Sequence, residues 1–153
     1  MTLHIRPATL ADVSLLAGWA KAMAFETEHK ILADSDILPG TQRAIEQPGL
    51  AHYFIAELDG KPAGCLMLTS EWSDWRNGLW WWIQSVYVQP ECRRRGVYRA
   101  LYENVQHLAS LNSDVQGIRL YVEKENGIAQ RTYQSLGMHD ANYLVFEQTT
   151  KKN

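Results

Sequence analysis

Apolar and polar positions alternate at the start of the chain, where Leu3-His4-Ile5-Arg6 predicts a short strand that Pro7 stops. The period then lengthens. Val13, Leu16, Ala17, Ala20, Met23 and Ala24 recur at helical spacing behind Thr9 and Asp12, a capping box with Asp in place of Glu, so a first helix is expected to about His29. Asp34, Ser35, Asp36, Pro39 and Gly40 are breakers and predict a loop over 31–40, followed by a short helix over 41–47 that ends at Pro48-Gly49. Two apolar runs over 51–58 and 62–68, joined by Asp59-Gly60, read as a hairpin. A polar, tryptophan-bearing turn over 71–78 leads into a long aromatic and β-branched strand over 79–88, closed by Pro90. Val97, Ala100, Leu101, Val105, Leu108 and Leu111 then line one face of a helix. The pattern closes with a strand over 117–123, a helix over 126–136 and a last strand over 142–147.

The order strand, two helices, three strands, helix, strand, helix, strand predicts an α/β (α+β) fold with a mixed, largely antiparallel sheet and helices on both faces. Composition narrows the class. The chain has 153 residues, 46% hydrophobic and 21% charged, which suits a single domain over 1–153. No stretch approaches the ~18 apolar residues of a membrane span, so no membrane partner is expected. The amino terminus shows no apolar core behind a basic start, and the two cysteines, Cys65 and Cys92, are too few for a disulfide scaffold; both point to the cytoplasm. A net charge of −2 argues against nucleic acid as a partner. The five histidines show no ligand spacing, so no metal is expected.

Charge is unevenly placed. Arg93, Arg94, Arg95 and Arg99 crowd the junction between the long aromatic strand and the next helix. A helix N-terminus carries about half a positive charge and unpaired N–H groups, and acidic residues are the usual neighbours. Arginines there suit a bound anion, with Gly96 allowing close backbone approach; a solvated basic loop is the plainer alternative. The Gly-Lys-Ser/Thr of a P-loop and the Gly-x-Gly-x-x-Gly of a dinucleotide fold are both missing.

Arg93-x-x-Gly96-x-Tyr98, after Val86-Tyr87-Val88 and before Ala100-Leu101, resembles the coenzyme A loop of the GNAT N-acetyltransferase superfamily, with Tyr98 where that family has a small residue. Asn126-x-x-Ala129-x-x-x-Tyr133-x-x-x-Gly137-Met138 resembles a second signature of the same family, and Ile5-Arg6-Pro7-Ala8-Thr9 its usual start. The resemblance implies a sheet of about six to seven strands flanked by about four helices, with acetyl-CoA as acetyl donor. It implies that Arg93, Arg94, Arg95, Gly96, Val97, Tyr98 and Arg99 hold the coenzyme's pyrophosphate, and that Asn126, Ala129 and Tyr133 also bind the coenzyme. The main chain of Val86, Tyr87 and Val88 would line the thioester and pantetheine, Val86 N–H acting as oxyanion donor. Tyr133 would protonate the departing thiolate; phenols titrate near about 10 and are protonated at neutral pH.

Gln84 stands where several such enzymes carry a glutamate base; an amide accepts no proton at neutral pH, so it can only orient water or the acceptor. Glu71, then Asp74 and Glu123, are the carboxylates left as candidate bases. The resemblance also implies an acceptor side walled by the first two helices and the loops beside the central strands, which include Glu26, Glu28, Trp72, Asp74, Trp75 and Trp82; acids beside aromatic faces suit a cationic amine. The same tryptophans could instead pack the sheet or form a homodimer surface. Without a partnered cysteine or a Gly-x-Ser-x-Gly elbow, direct attack of a primary amine of a small molecule or peptide on acetyl-CoA is favoured over an acyl-enzyme. A second reading is a catalytically weak acyl-CoA-binding module serving as a sensor or interaction domain.

Overall fold

The computed structural model describes residues 1–151. Its sheet has the order β1 (Leu3–Pro7), β2 (His52–Leu58), β3 (Lys61–Ser73), β4 (Gly78–Val88), β5 (Val115–Leu120). The first four strands run antiparallel to their neighbours, and β5 runs parallel to β4. The helices are α1 (Val13–Glu28), α2 (Asp34–Glu46), α3 (Val97–Ser110) and α4 (Gly127–Ser135). This is the mixed α+β class that the pattern predicts, with fewer strands. The chain divides into two compact units: Met1–Leu120, which holds the whole sheet with α1 to α3, and the remainder from Tyr121, which holds α4.

The missing strand is the one expected over 142–147. Among the described residues this segment joins no ladder, and Tyr143, Leu144, Val145 and Phe146 are between 64% and 90% exposed. A run of β-formers becomes a strand only where a sheet edge takes up its backbone groups, and sequence pattern cannot supply that edge. The loop expected over 31–40 is also corrected, because α2 starts at Asp34 and carries Pro39 inside it. Asp34, Ser35 and Asp36 read as breakers, but the same residues suit a helix's first turn, where acids meet the positive end of the dipole. Thr41 and Ala44 are buried on the same helix. The turn expected over 71–78 shrinks to four residues, as Glu71 and Trp72 extend β3 and pair with Trp80 and Leu79.

Register assigns the faces. Ile55, Cys65 and Tyr87 stand opposite one another on β2, β3 and β4, and they pack with Leu16 and Trp19 of α1. The other face belongs to α3: a Cβ at Gly64 would lie 3.3 Å from Val97 Cγ1, and Val97, Leu101 and Val105 are all buried. Cys65 is 7% exposed, and burial pushes its thiol up to about 12. A thiol held that high is neutral near pH 7 and inert. Of the two cysteines, only half-buried Cys92 is expected to react with Ellman's reagent in the native protein; two fast thiols would contradict this core.

Thr9 and Asp12 form the predicted box, with Thr9 N–H donating to the Asp12 carboxylate at 2.8 Å. The sequence pattern gave no sign of the second partner. Arg6 grips both Asp12 oxygens, at 2.9 and 3.0 Å, and donates to Glu57 at 3.2 Å, tying β1 to β2 and to the start of α1. The Arg6 guanidinium holds the Asp12 carboxyl below its ordinary range. Because the folded value is depressed, this stabilisation is complete above the unfolded value near about 4 and is lost as pH falls below it. Asp12→Asn is expected to cost about 1.5 kcal/mol at neutral pH, the scale of a charge-assisted hydrogen bond. Urea melts should show the loss at pH 7 and a smaller one at pH 3; an equal loss at both would refute the ionic origin.

Candidate active site

Strand β4 is the scaffold of the site. Its parallel ladder with β5 ends at Ile83↔Leu120, whereas its antiparallel ladder with β3 continues to Gly64↔Val88. From Gln84 to Val88 the strand therefore pairs on the β3 side alone, and the backbone groups aimed the other way belong to no ladder among the described residues. The register with β3 also slips: Met67 faces Ser85 and Leu68 faces Ile83, so Gln84 is the extra residue of a bulge. Val86 and Val88 lie on this open stretch, beside buried Tyr87.

The strand runs on into a 3₁₀ turn, Pro90–Cys92, and then into the arginine loop. Gly96 is the N-cap of α3 at φ 81°, a left-handed conformation that favours glycine. Arg94 is also left-handed, at φ 62°, which costs a non-glycine residue roughly 1 kcal/mol; such strain gathers at ligand loops. The amides of Val97, Tyr98 and Arg99 precede the first helical bond, which Ala100 N–H makes to Gly96 O at 3.0 Å. They have no intrahelical partner and share the positive end of α3 with exposed Arg94 and Arg95. Tyr98 packs its ring against Tyr102, with centroids 6.4 Å apart, so its bulk is taken up along the helix. A cavity beside the loop is lined by Lys61, Gln89, Cys92 and Arg95 among others, and Lys61 is a basic residue that loop reading alone missed.

The four arginines do not act alike. Arg93 is exposed but engaged by the protein's own groups: Nε donates to Val88 O at 2.9 Å, a terminal nitrogen donates to Glu26 at 2.9 Å, and the guanidinium lies 5.7 Å from the centre of the Tyr87 ring. It fastens the loop to β4 and to the end of α1. Burial, with the Glu26 carboxylate second, pushes the Tyr87 phenol up. Arg99 pairs with Glu103 on the same exposed helix face at 2.8 Å. Arg94 and Arg95 are thus the arginines with least engagement in the protein's own structure.

The expected acceptor residues separate. Glu26 is the partner of Arg93, and Glu28 is exposed at the last position of α1. Asp74 accepts from Trp75 N–H in the hairpin turn, where Trp75 is 91% exposed. Trp72 alternates with Glu71 and so belongs to the α3 face. On the α1 face are Thr69, Glu71, Trp80, Trp82 and, from β5, Arg119. There Glu71 accepts from Trp82 Nε1 at 2.8 Å and from Arg119 at 3.2 Å, while Arg119 lies 3.9 Å from the centre of the Trp80 ring and Arg76 5.0 Å. Among the expected acceptor tryptophans, Trp82 thus has the Arg119 guanidinium 5.9 Å from its ring centre, while Trp72 and Trp75 are exposed. Gln84 donates to Thr69 Oγ1 at 2.8 Å, which leaves its carbonyl oxygen to accept.

In the second unit, Asn126 is the N-cap of α4 and accepts from Ala129 N–H at 3.1 Å. Gly137, at φ 94°, ends the helix, and Met138 N–H closes on Tyr133 O at 3.0 Å. The Asn-x-x-Ala and Gly-Met parts of the signature therefore start and stop α4, with half-buried Tyr133 between them. The described residues contain no group of three or more His, Cys, Asp or Glu able to hold a metal. No described helix is long and apolar enough to cross a membrane.

A family model described as the Acetyltransferase (GNAT) family matches residues 16–138, which is most of the chain. The chain belongs to the GNAT family of acetyltransferases. Such enzymes take acetyl-CoA as donor, and the open edge of β4 with the amides at the start of α3 fits a thioester arm and a pyrophosphate. A possible acetyltransferase from Clostridium difficile 630 is 35% identical, with a TM-score of 0.92 over 99% of this chain and 100% of that one. The aminoglycoside N-acetyltransferase AAC(6')-Iy in complex with CoA is 19% identical, with a TM-score of 0.78 over 98% of this chain and 96% of that one. The same enzyme with a bisubstrate analog, CoA-S-monomethyl-acetylneamine, gives 20% and 0.79 over 99% and 100%. At those identities the last two show the fold alone. No curated protein matches this chain.

Proposed function

We propose that this GNAT protein transfers the acetyl group of acetyl-CoA to a primary amine of a small molecule or peptide by direct attack in a ternary complex. The observation that carries the reading is the continuity of β4 with the N-terminal end of α3: among the described residues the Gln84–Val88 edge on the β5 side joins no ladder, and it leads into first-turn amides that precede the first helical bond, with Arg94 and Arg95 beside them. The coenzyme's pyrophosphate is bound at Gly96, Val97, Tyr98 and Arg99, and the pantetheine pairs with the main chain of Val88 and Tyr87. Val86 N–H donates to the thioester carbonyl oxygen as it gains charge. The amine nitrogen bonds to the carbonyl carbon, the C–S bond breaks, and Tyr133 gives its proton to the departing sulfur.

The acceptor's ammonium must first lose a proton. Glu71 is five residues along β3 from Leu66, the partner of Val86. At about 3.4 Å per residue that is ~17 Å, beyond direct proton transfer. In this scheme a water held by the Gln84 carbonyl takes the ammonium's proton and passes it to bulk solvent. Purified protein should melt at higher temperature with acetyl-CoA than with free nucleotide, and should release thiol with at least one member of a panel of polyamines, amino acids, aminoglycosides and peptides. Stabilisation without thiol release from any amine would favour the sensor reading instead, which the absence of a carboxylate at Gln84 keeps in play.

A further inference from the structure

One side chain at the fork between β4 and β5 spans three strands. Arg119 lies on β5 opposite Trp82, one rung before the parallel ladder ends at Ile83↔Leu120. From there its guanidinium crosses the Trp80 ring, at 3.9 Å from the centroid, and the Trp82 ring, at 5.9 Å. It reaches Glu71 on β3 at 3.2 and 3.5 Å. The same Glu71 accepts from Trp82 Nε1 at 2.8 Å, so carboxylate, indole and guanidinium form one connected group. The backbone makes room for it: a Cβ at Gly117 would meet the Trp80 ring at 2.3 Å, so only glycine lets that indole lie across β5 beneath Arg119.

The group stands where two demands on β4 meet. Up to Ile83 the strand must be paired with β5, and from Gln84 it must be free of it. Backbone rungs at the end of a short parallel ladder fray easily unless something else holds them. Arg119 is about four residues, ~13 Å, from Val86 along the strand, too far to touch the thioester. Its effect on the reaction is therefore indirect.

We propose that Arg119 is a positioning residue for acetyl-CoA: by joining β5 to Glu71 of β3 across Trp80 and Trp82, it fixes where the fork opens, and so holds the Gln84–Val88 edge in one shape for the thioester arm. This rests on the acetyl-CoA reading above. The group is charged and partly exposed, so its contribution to stability is small beside its contribution to geometry. Arg119→Lys keeps the charge but loses the planar stacking and the double approach to Glu71, and it should restore only part of the function.

The test uses the full-length protein and acetyl-CoA. Calorimetry should give a dissociation constant about tenfold higher for Arg119→Ala than for wild type, an intermediate value for Arg119→Lys, and a similar loss for Glu71→Gln. The double variant should bind no worse than Arg119→Ala alone, because both changes break one connection. Amide exchange of 84–88 without ligand should be faster in Arg119→Ala, while exchange in α1 stays as in wild type. A general loss of stability would lower the folded fraction without changing the dissociation constant of what remains folded. Should Arg119→Ala fail to fold, Arg119→Lys and Glu71→Gln carry the comparison. Wild-type affinity and wild-type exchange in these variants would overturn the positioning role and leave the acetyl-CoA reading standing. Failure of the wild-type protein to bind acetyl-CoA would overturn both.

Discussion

Tyr133→Phe is expected to lower kcat about a hundredfold while leaving the KM for acetyl-CoA near its wild-type value. The substitution removes one hydroxyl and nothing else, and in the proposed scheme that hydroxyl is the proton source for the departing sulfur. Positioned general acids contribute roughly 10² to 10⁴ in rate, and a thiolate is a tolerable leaving group, so the lower end applies. Tyr133 is half-buried on a helix whose ends are set by Asn126 and Gly137, so the fold should not change. Steady-state kinetics from pH 6 to 9 decide the matter. An undiminished kcat throughout would remove Tyr133 from the mechanism.

Gly96→Asp should raise the dissociation constant for acetyl-CoA about thirtyfold. Gly96 is left-handed at φ 81° and its position is open, since a Cβ there would meet only Leu3 Cδ1, at 4.0 Å; aspartate is among the side chains that tolerate this conformation. The backbone can therefore stay while a carboxylate takes the place at the head of α3 that a phosphate would occupy. Two phosphate charges opposed by roughly 1 kcal/mol each in water total about 2 kcal/mol, which is the thirtyfold effect. Raising the salt concentration should recover part of the affinity, since the repulsion is screened. An unchanged affinity at low salt would mean that the pyrophosphate binds elsewhere.

How much was legible varied with what each residue needed. Gly96 could be read from sequence because its backbone conformation restricts the residue type, and the requirement is local. Asn126 and Gly137 were legible as the two ends of α4 for a related reason: capping and a left-handed stop act within one turn. Arg93 was not. Its place in a run of arginines predicted a phosphate ligand and gave no sign that Glu26, 67 residues away, and the Val88 carbonyl each accept one of its donors. The surroundings of Trp80 were hidden in the same way, since a string of indoles gives no hint that Arg119 and Arg76 lie over that ring. The residues of α2 failed differently, because Asp and Ser favour both a turn and the first turn of a helix.

The sequence by itself therefore determined the order of the elements from β1 to α4, the sheet's mixed character, the family and the loop at the start of α3. These follow from periodicity and from backbone demands that act within a few residues. Tertiary structure alone decided which charges pair with one another across the chain, that 142–147 joins no ladder among the described residues, and where β4 parts from β5. Each of those depends on what another segment of the chain brings to the same place, and one-dimensional spacing carries no record of that meeting.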